Sequence, residues 1–129
     1  MIKQVINVDN KWKVIVYYNI NYNLFHIVRD TLKSISVKEK VINRIAYLLL
    51  TGGVKAFTIS NSKLKITVVG FNPHKTKEDY INSIVHEIEH VKQHMLKAYD
   101  VPDRDEEPAY TMGYLAMKMM MFFLKKVAD

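Results

Sequence analysis

The order of hydrophobic patterns along the chain predicts a single α+β domain. Alternating strand-like segments come first, helical stripes follow, and the same order repeats in the second half. The chain has 129 residues, a length that one hydrophobic core commonly serves. Four glycines and three prolines are too few for a linker or a low-complexity arm. We therefore expect one domain over residues 1–129, built on a small mixed or antiparallel sheet.

The N-terminal segment predicts a β-hairpin. Lys3–Val8 and Lys11–Tyr18 have the alternation of strands, and Asp9 and Asn10 between them are turn-forming residues. Both faces of the second strand are largely apolar, which predicts that this strand is buried within the sheet.

Two helices are predicted next. The first follows an N-cap at Asn21 or Asn23, and its apolar stripe is Leu24, Ile27, Val28 and Thr31. Ser36 and Glu39 have the spacing of a capping box for the second helix. The apolar stripe of that helix is Val37, Val41, Ile45 and Leu48. Gly52 and Gly53 end it, because glycine adopts the left-handed conformation at low cost.

The second half of the chain predicts another hairpin and two more helices. Val54–Ser60 and Leu64–Val69 have the composition of paired strands. Thr76 is the expected N-cap of a long helix over about residues 77–99. Its apolar stripe is Ile81, Ile84, Val85, Ile88, Val91 and Met95. A last helix runs from about residue 105 to about residue 127, with Pro108 tolerated in its first turn.

The composition excludes several kinds of site and partner. Without cysteine, the chain has no disulfide scaffold, thiolate zinc site or cysteine nucleophile, so nitrogen and oxygen atoms must hold any metal. The net charge of +6 is scattered along the chain, which is typical of a solvated surface, and we expect no nucleic-acid partner. No signal-peptide pattern or membrane-length apolar run is present, so we expect a cytoplasmic protein without a membrane partner.

The residues His86–Glu87–Ile88–Glu89–His90 form the pattern H-E-x-x-H inside the long predicted helix. About one helical turn separates the two histidines, so both imidazoles project from one face and can hold one ion. Two imidazoles and a carboxylate suit zinc, which lowers the pKa of bound water to about 7. Glu87 lies about 100° around the helix from His86, where it can accept a proton from that water and pass it to a leaving amine. The motif predicts one zinc ion, with Glu87 as general base and acid.

A catalytic zinc site needs a third protein ligand, for which the sequence offers three candidates. His94 ranks last, because one straight helix does not easily aim three successive turns at one tetrahedral centre. Glu106 shares a stripe of small residues with Ala109 and Gly113, which would let two helices approach closely. Glu107 lies on a wetter stripe of tyrosines and lysines. We predict Glu106 and keep Glu107 as the alternative, since both acids also suit a helix N-terminus.

With these residues in place, the chain resembles the gluzincin class of zinc metallopeptidases. It looks more specifically like sequence-predicted metallopeptidases of gut Bacteroidales and their phages, over about residues 53–124. The matching segments are the motif helix, Phe57-Thr58-Ile59-Ser60-Asn61 and Glu106-x-x-Ala109-Tyr110-x-x-Gly113-Tyr114-Leu115.

The resemblance implies a zincin-like fold with an active-site helix and a C-terminal helix. It also implies that His86, His90 and Glu106 bind zinc and that Glu87 is the general base and acid. A phage-encoded member would act in the host cytoplasm or in the virion. In zincin-like folds an edge strand beside the active-site helix pairs with an extended substrate, and either strand of the second hairpin could be that edge or an ordinary sheet strand.

The predicted function is zinc-dependent hydrolysis of a peptide or protein substrate. Tyr110 and His94 are candidates for a hydrogen-bond donor to the oxyanion of the reaction. The alternative is a non-catalytic, zinc-stabilised binding or structural protein, such as a phage component or regulator. Glu87 favours the enzyme, because a purely structural zinc site needs no base beside it.

The C-terminal helix is rich in methionine and phenylalanine between Met117 and Leu124. Residues of this kind at helical spacing usually pack in the core, which is the interpretation we favour. The alternative is a homodimer or partner surface, because a helix that is apolar on all sides must be covered.

Overall fold

A four-stranded mixed sheet lies between two pairs of helices in the computed structural model, which describes residues 1–99 and 106–128. The strand order is β1-β2-β4-β3, with β2 and β4 parallel and the two outer pairs antiparallel. The strands are β1 (Ile2–Val8), β2 (Trp12–Tyr18), β3 (Ala56–Asn61) and β4 (Ile66–Phe71). The predicted α+β class and mixed sheet are confirmed.

The helices follow the predicted order. They are α1 (Phe25–Ser34), α2 (Glu39–Thr51), α3 (Lys77–Tyr99) and α4 (Glu106–Phe122). A 3₁₀ turn, Tyr22–Leu24, precedes α1, and a π-helical turn, Phe123–Val127, continues α4. For residues 106–109 the structure describes the helical backbone and not the side chains.

The two faces of the sheet carry separate hydrophobic clusters, as strand alternation requires. The cluster formed with α3 and α4 takes Trp12, Val14, Val16 and Tyr18 from β2. The cluster formed with α1 and α2 takes Tyr17 and, at its margin, Ile15. The central strand β2 is therefore covered on both faces, as its apolar sequence predicts.

Both predicted hairpins are confirmed. Asp9 and Asn10 have φ angles of 52° and 56°, the left-handed pair of a type I′ turn, and the N–H of Lys11 donates to the carbonyl of Val8 at 3.0 Å. The second hairpin, β3–β4, lies about two residues further along than predicted. In its turn, the Asn61 side chain accepts the N–H of Lys63 at 3.0 Å.

The buried faces of α1 and α2 differ from the predicted stripes. Asn21 caps the 3₁₀ turn rather than α1, and this tighter turn shifts the helix phase. The buried residues of α1 are Phe25, Val28 and Leu32, whereas Leu24 and Ile27 are exposed. In α2 the predicted Ile45 is buried, but its buried neighbours are Ile42 and Leu49 rather than Val41 and Leu48.

The capping box predicted for α2 is wrong. The N-cap is Lys38, whose side chain makes no capping hydrogen bond, and Ser36 has a φ of 67° in the preceding turn. The predicted end of α2 is confirmed, since Gly52 is the C-cap with a φ of 74°.

The predicted bounds and cap of α3 are confirmed. The Thr76 hydroxyl accepts the N–H of Asp79 at 3.1 Å. The buried face of α3 consists of Tyr80, Ile84, Glu87, Ile88, Val91 and Met95. Val85 departs from the predicted stripe, being 45% exposed, and Glu87 takes a place on the buried face instead.

One face of the methionine-rich helix α4 packs in the core, and the opposite face is exposed to solvent. Leu115, Met119 and Phe123 are buried, which confirms core packing for this part of the segment. Met117 and Met121 are about half exposed, and the homodimer that they could form stays a prediction. The small-residue stripe does not bring two helices together at Gly113, since a Cβ there would meet nothing within 4 Å. No helix in the described ranges is both long and apolar enough to cross a bilayer.

A Cβ at Gly70 would overlap the Phe57 ring and lie 2.7 Å from the Ile20 side chain. We expect Gly70→Ala to lower the free energy of unfolding by about 1–3 kcal/mol, because the core must shift to admit the methyl group. Gly113→Ala is the matched control, since the added methyl group is in open space and alanine favours a helix by about 0.5–1 kcal/mol. Urea denaturation measures both, and equal stabilities would contradict the packing described.

Candidate metal centre

The candidate site lies where α3 crosses β3, the edge strand of the sheet. Alternation along β3 turns Phe57 and Ile59 towards the α1–α2 cluster. Thr58 and Ser60 face the opposite way, and both contact polar residues of α3. The contact between β3 and α3 is therefore polar, whereas the rest of this face of the sheet is apolar.

His86 and His90 face each other across one helical turn. Their Nε2 atoms are 3.2 Å apart, their ring centroids are 4.7 Å apart, and the ring planes meet at 83°. His86 is exposed and His90 is half-buried, so the pair is open to solvent on one side. In the protein without metal, one Nε2–H can donate to the other Nε2.

The separation of the two nitrogens fits a shared metal ion. Two nitrogens at about 2.05 Å from one tetrahedral zinc ion are separated by about 3.3 Å. The observed 3.2 Å allows both lone pairs to reach one ion with little movement of either ring.

Glu87 is adjacent to His86 on α3 and is 6% exposed. Its Oε1 accepts a hydrogen bond from the Thr58 hydroxyl at 2.8 Å. Ligand atoms of Glu87, His86 and His90 all lie within 4.8 Å of one another. A buried carboxylate requires a donor, and Thr58 supplies one from the neighbouring strand.

A cleft of about 300 Å³ opens beside these residues. Its lining combines the start of β3 with the first half of α3: Val54, Lys55, Ala56, Asn82, Ser83, His86 and Glu87. The His86–Glu87 end of the site is thus reached from a groove that the edge strand borders.

A chain of hydrogen bonds connects His94 to the interior. Its Nδ1 lies 2.7 Å from the Ser60 hydroxyl, which lies 2.7 Å from the Thr67 hydroxyl. Thr67 in turn accepts the indole N–H of Trp12 at 2.9 Å. Burial lowers the pKa of His94, and the neighbouring His90 lowers it further, so the His94 imidazole is neutral at pH 7.

His74 holds the loop that enters α3. Its Nδ1–H donates to the carbonyl of Asn72 at 2.6 Å, and its Nε2 accepts from Ser83 at 2.8 Å. The ring lies 4.3 Å from that of Tyr80. Burial lowers the pKa of His74, which agrees with a neutral ring that donates at one nitrogen and accepts at the other.

The structure brings together three of the residues predicted for the site: His86, Glu87 and His90. Tyr110 is 75% exposed, and within the described residues no hydrogen bond or ring contact joins it to the histidine pair. The side chains of Glu106 and Glu107 lie outside the described part of the chain, so the choice of third ligand stays a prediction.

Sequence reasoning missed Thr58 and Ser60 as partners of the site. The available signal was their spacing of two residues, which puts both hydroxyls on one face of a strand. A polar face on an otherwise apolar strand requires a polar neighbour, and α3 carries Glu87 and His94 there.

Comparisons of the chain with protein-family models, curated protein sequences and solved structures give no significant match. The assignment of the site therefore depends on its motif and its geometry.

Thr58→Val removes the hydroxyl that donates to Glu87 while keeping the shape of the side chain. We expect the free energy of unfolding at pH 7 to fall by about 1–3 kcal/mol, because a buried carboxylate loses a donor. Thr51→Val is the control, since the exposed Thr51 hydroxyl bonds only within its own helix. Urea denaturation compares the two, and an equal loss in both would show that the Thr58–Glu87 bond does not stabilise the fold.

Stability should also depend on the protonation of His74. Its pKa is lowered from the ordinary 6.5 in the folded protein, so the unfolded chain binds protons more readily as the pH falls below that value. We expect this residue to contribute full stability above about pH 6.5 and progressively less below it. Urea denaturation at several pH values should show that the free energy of unfolding falls less steeply with decreasing pH in His74→Gln than in the wild type. An identical decline in both proteins would contradict the assignment.

Proposed function

We propose that the protein is a zinc-dependent metallopeptidase with a zincin-like arrangement of active-site helix and edge strand. The observation that carries the proposal is the 3.2 Å approach of the His86 and His90 Nε2 atoms, with ligand atoms of both residues within 4.8 Å of the buried Glu87 carboxylate. Among the described residues, this is the group with several ligand atoms close enough for one metal ion.

The proposed ligands are His86, His90 and Glu106, with Glu107 as the alternative to Glu106. Two imidazoles and one carboxylate leave a fourth position open, as a catalytic zinc site requires. A zinc ion bound here would supply Lewis-acid chemistry, polarising a substrate carbonyl and making water acidic enough to lose a proton near pH 7.

Glu87 would perform the proton transfers. Its carboxylate would accept the proton of the attacking water and then deliver it to the nitrogen of the leaving amine. The Thr58 hydroxyl fixes one carboxylate oxygen, so the other stays free for this exchange. The restraint matters because a base must be held within hydrogen-bond distance of the proton it removes.

The cleft beside His86 and Glu87 suggests how a peptide or protein substrate would be bound. The strand β3 pairs with β4 on one side, and its other edge lies at the border of the sheet. An extended peptide could pair with that edge and bring a carbonyl towards the histidine pair. Tyr110 keeps its proposed role as a donor to the oxyanion, which it would reach from α4.

The second candidate is a zinc-stabilised binding or structural protein. It predicts a site closed by four protein ligands, whereas the enzyme needs an open position. Glu87 supports the enzyme, because a purely structural zinc site needs no general base beside its two imidazoles.

Glu87→Gln tests the proposed chemistry. We expect hydrolysis of a mixed peptide library to fall by at least about 100-fold, because the amide cannot accept the proton, while zinc remains bound. Glu89→Gln is the matched control on the same helix, since Glu89 bonds to Lys92 and Gln93 and not to the site. Zinc content is measured beside the rate, and a Glu87→Gln protein with wild-type activity would refute the mechanism.

The third ligand is tested by comparing Glu106→Gln with Glu107→Gln in zinc titrations. We expect only the Glu106 variant to bind zinc at least about 10-fold more weakly, because it alone removes a ligand. His90→Ala is the positive control, since it removes a proposed ligand and should weaken zinc binding. His26→Ala on helix α1 is the negative control and should leave zinc affinity unchanged. A loss confined to Glu107→Gln would reassign the ligand, and no loss in either variant would exclude both acids.

A further inference from the structure

The hydrogen-bond chain that ends at His94 has a direction. The indole nitrogen of Trp12 can only donate, so the Thr67 oxygen must accept from it. Thr67 is fully buried, and its hydroxyl proton therefore also needs an acceptor inside the protein. Among the described groups, the Ser60 oxygen is the partner within reach.

This direction determines the proton positions of the remaining members. If Thr67 donates to Ser60, the Ser60 proton is free to be donated to Nδ1 of His94. The opposite direction would have His94 donate to Ser60 and Ser60 to Thr67, and the buried Thr67 proton would then have no acceptor. Within this chain, only the arrangement Thr67 to Ser60 to His94 gives both hydroxyl protons a protein acceptor, so we assign the hydrogen of a neutral His94 to Nε2.

We propose that His94 is a hydrogen-bond donor of the candidate site and not a ligand of its metal. The chain Trp12–Thr67–Ser60 holds the imidazole in the Nε2–H form, and this N–H is available to an anionic or carbonyl oxygen of a molecule held at the His86–His90 pair. Ser60 is a positioning residue, since it acts through His94. The part of the inference that concerns the bound molecule rests on the proposed metal site, whereas the part that concerns the hydrogen position does not.

The position of His94 agrees with this role. It lies one helical turn beyond His90 on the same side of α3, and it is half-buried. A metal ligand must offer a lone pair, and the Nδ1 lone pair of His94 is already engaged by Ser60 while Nε2 carries a hydrogen. Binding a metal through Nε2 would move the hydrogen to Nδ1, and the Ser60 hydroxyl would have to turn its own proton away from His94.

The hydrogen position is measured by NMR on the metal-free protein with ¹⁵N-labelled histidine, at a pH where His94 is neutral. Correlations between ring protons and ring nitrogens should show Nδ1 unprotonated and Nε2 protonated. Ser60→Ala should mix the two forms, and Ser60→Thr should restore the Nε2–H form. A predominant Nδ1–H form in the wild type, or no change in Ser60→Ala, would overturn the proposal. Melting temperatures of the variants separate this effect from unfolding.

The donor role is tested with zinc and with acetohydroxamate, an oxygen-bearing probe that binds zinc. His94→Leu should bind zinc within about twofold of the wild type, but the zinc-loaded variant should bind acetohydroxamate about tenfold more weakly for want of one hydrogen bond. His94→Gln, whose amide N–H lies near the position of Nε2–H, should recover most of that affinity.

Other outcomes have distinct meanings. A tenfold loss of zinc affinity in both His94 variants would make His94 a ligand and overturn the proposal. Unchanged affinity for acetohydroxamate would overturn the donor role. Failure of the wild type to bind zinc would refute the proposed metal site and the bound molecule that depends on it, while the hydrogen position measured without metal would still support or refute the Trp12–Thr67–Ser60 chain.

Discussion

The hydrogen bond from Thr58 to Glu87, together with the apolar residues on the same face, fixes how α3 is rotated about its axis. With Glu87 held against the sheet, the geometry of about 100° per residue determines the direction of every other side chain on the helix. Side chains four residues apart therefore differ in direction by about 40° around the helix axis. From His94 through His90 to His86, the side chains turn progressively away from the strand and towards solvent. The half-buried state of His94 and His90 and the exposure of His86 follow this progression.

The sheet topology explains why the site forms at an edge. The parallel pairing of β2 with β4 is reached through α1 and α2, and the chain returns to the sheet first as β3. Because β4 then pairs with β2, β3 is left as the outer strand. The polar residues Thr58 and Ser60 are tolerated there because α3, which covers them, is itself polar along that line.

Much of the fold could be predicted from the sequence, because its signals are local. The turn at Asp9 and Asn10, the cap at Thr76 and the C-cap at Gly52 each depend on the chemistry of one or two residues. The histidine pair and Glu87 were predictable for the same reason, since one helix carries all three. Two errors were local, since the 3₁₀ turn before α1 changed the phase of its stripe and Ser36 did not cap α2. The partnership of Thr58 with Glu87 was missed because it arises only through tertiary contact. The acidic ligand on α4 depends on the relative placement of two helices, which spacing does not determine.

Asn61 has a consequence for altering the chain by insertion. Its side-chain oxygen accepts the N–H groups of Lys63 and Leu64, and its amide donates to the carbonyl of Ile35 at 2.8 Å. The second hairpin turn is thereby tied to the loop after α1, one residue from Ser60. A peptide tag inserted between residues 62 and 65 would strain that tie and disturb the partner of His94. The turn at Asp9 and Asn10 is also connected to the site, because Trp12 begins β2 two residues later and is the first member of the hydrogen-bond chain to His94.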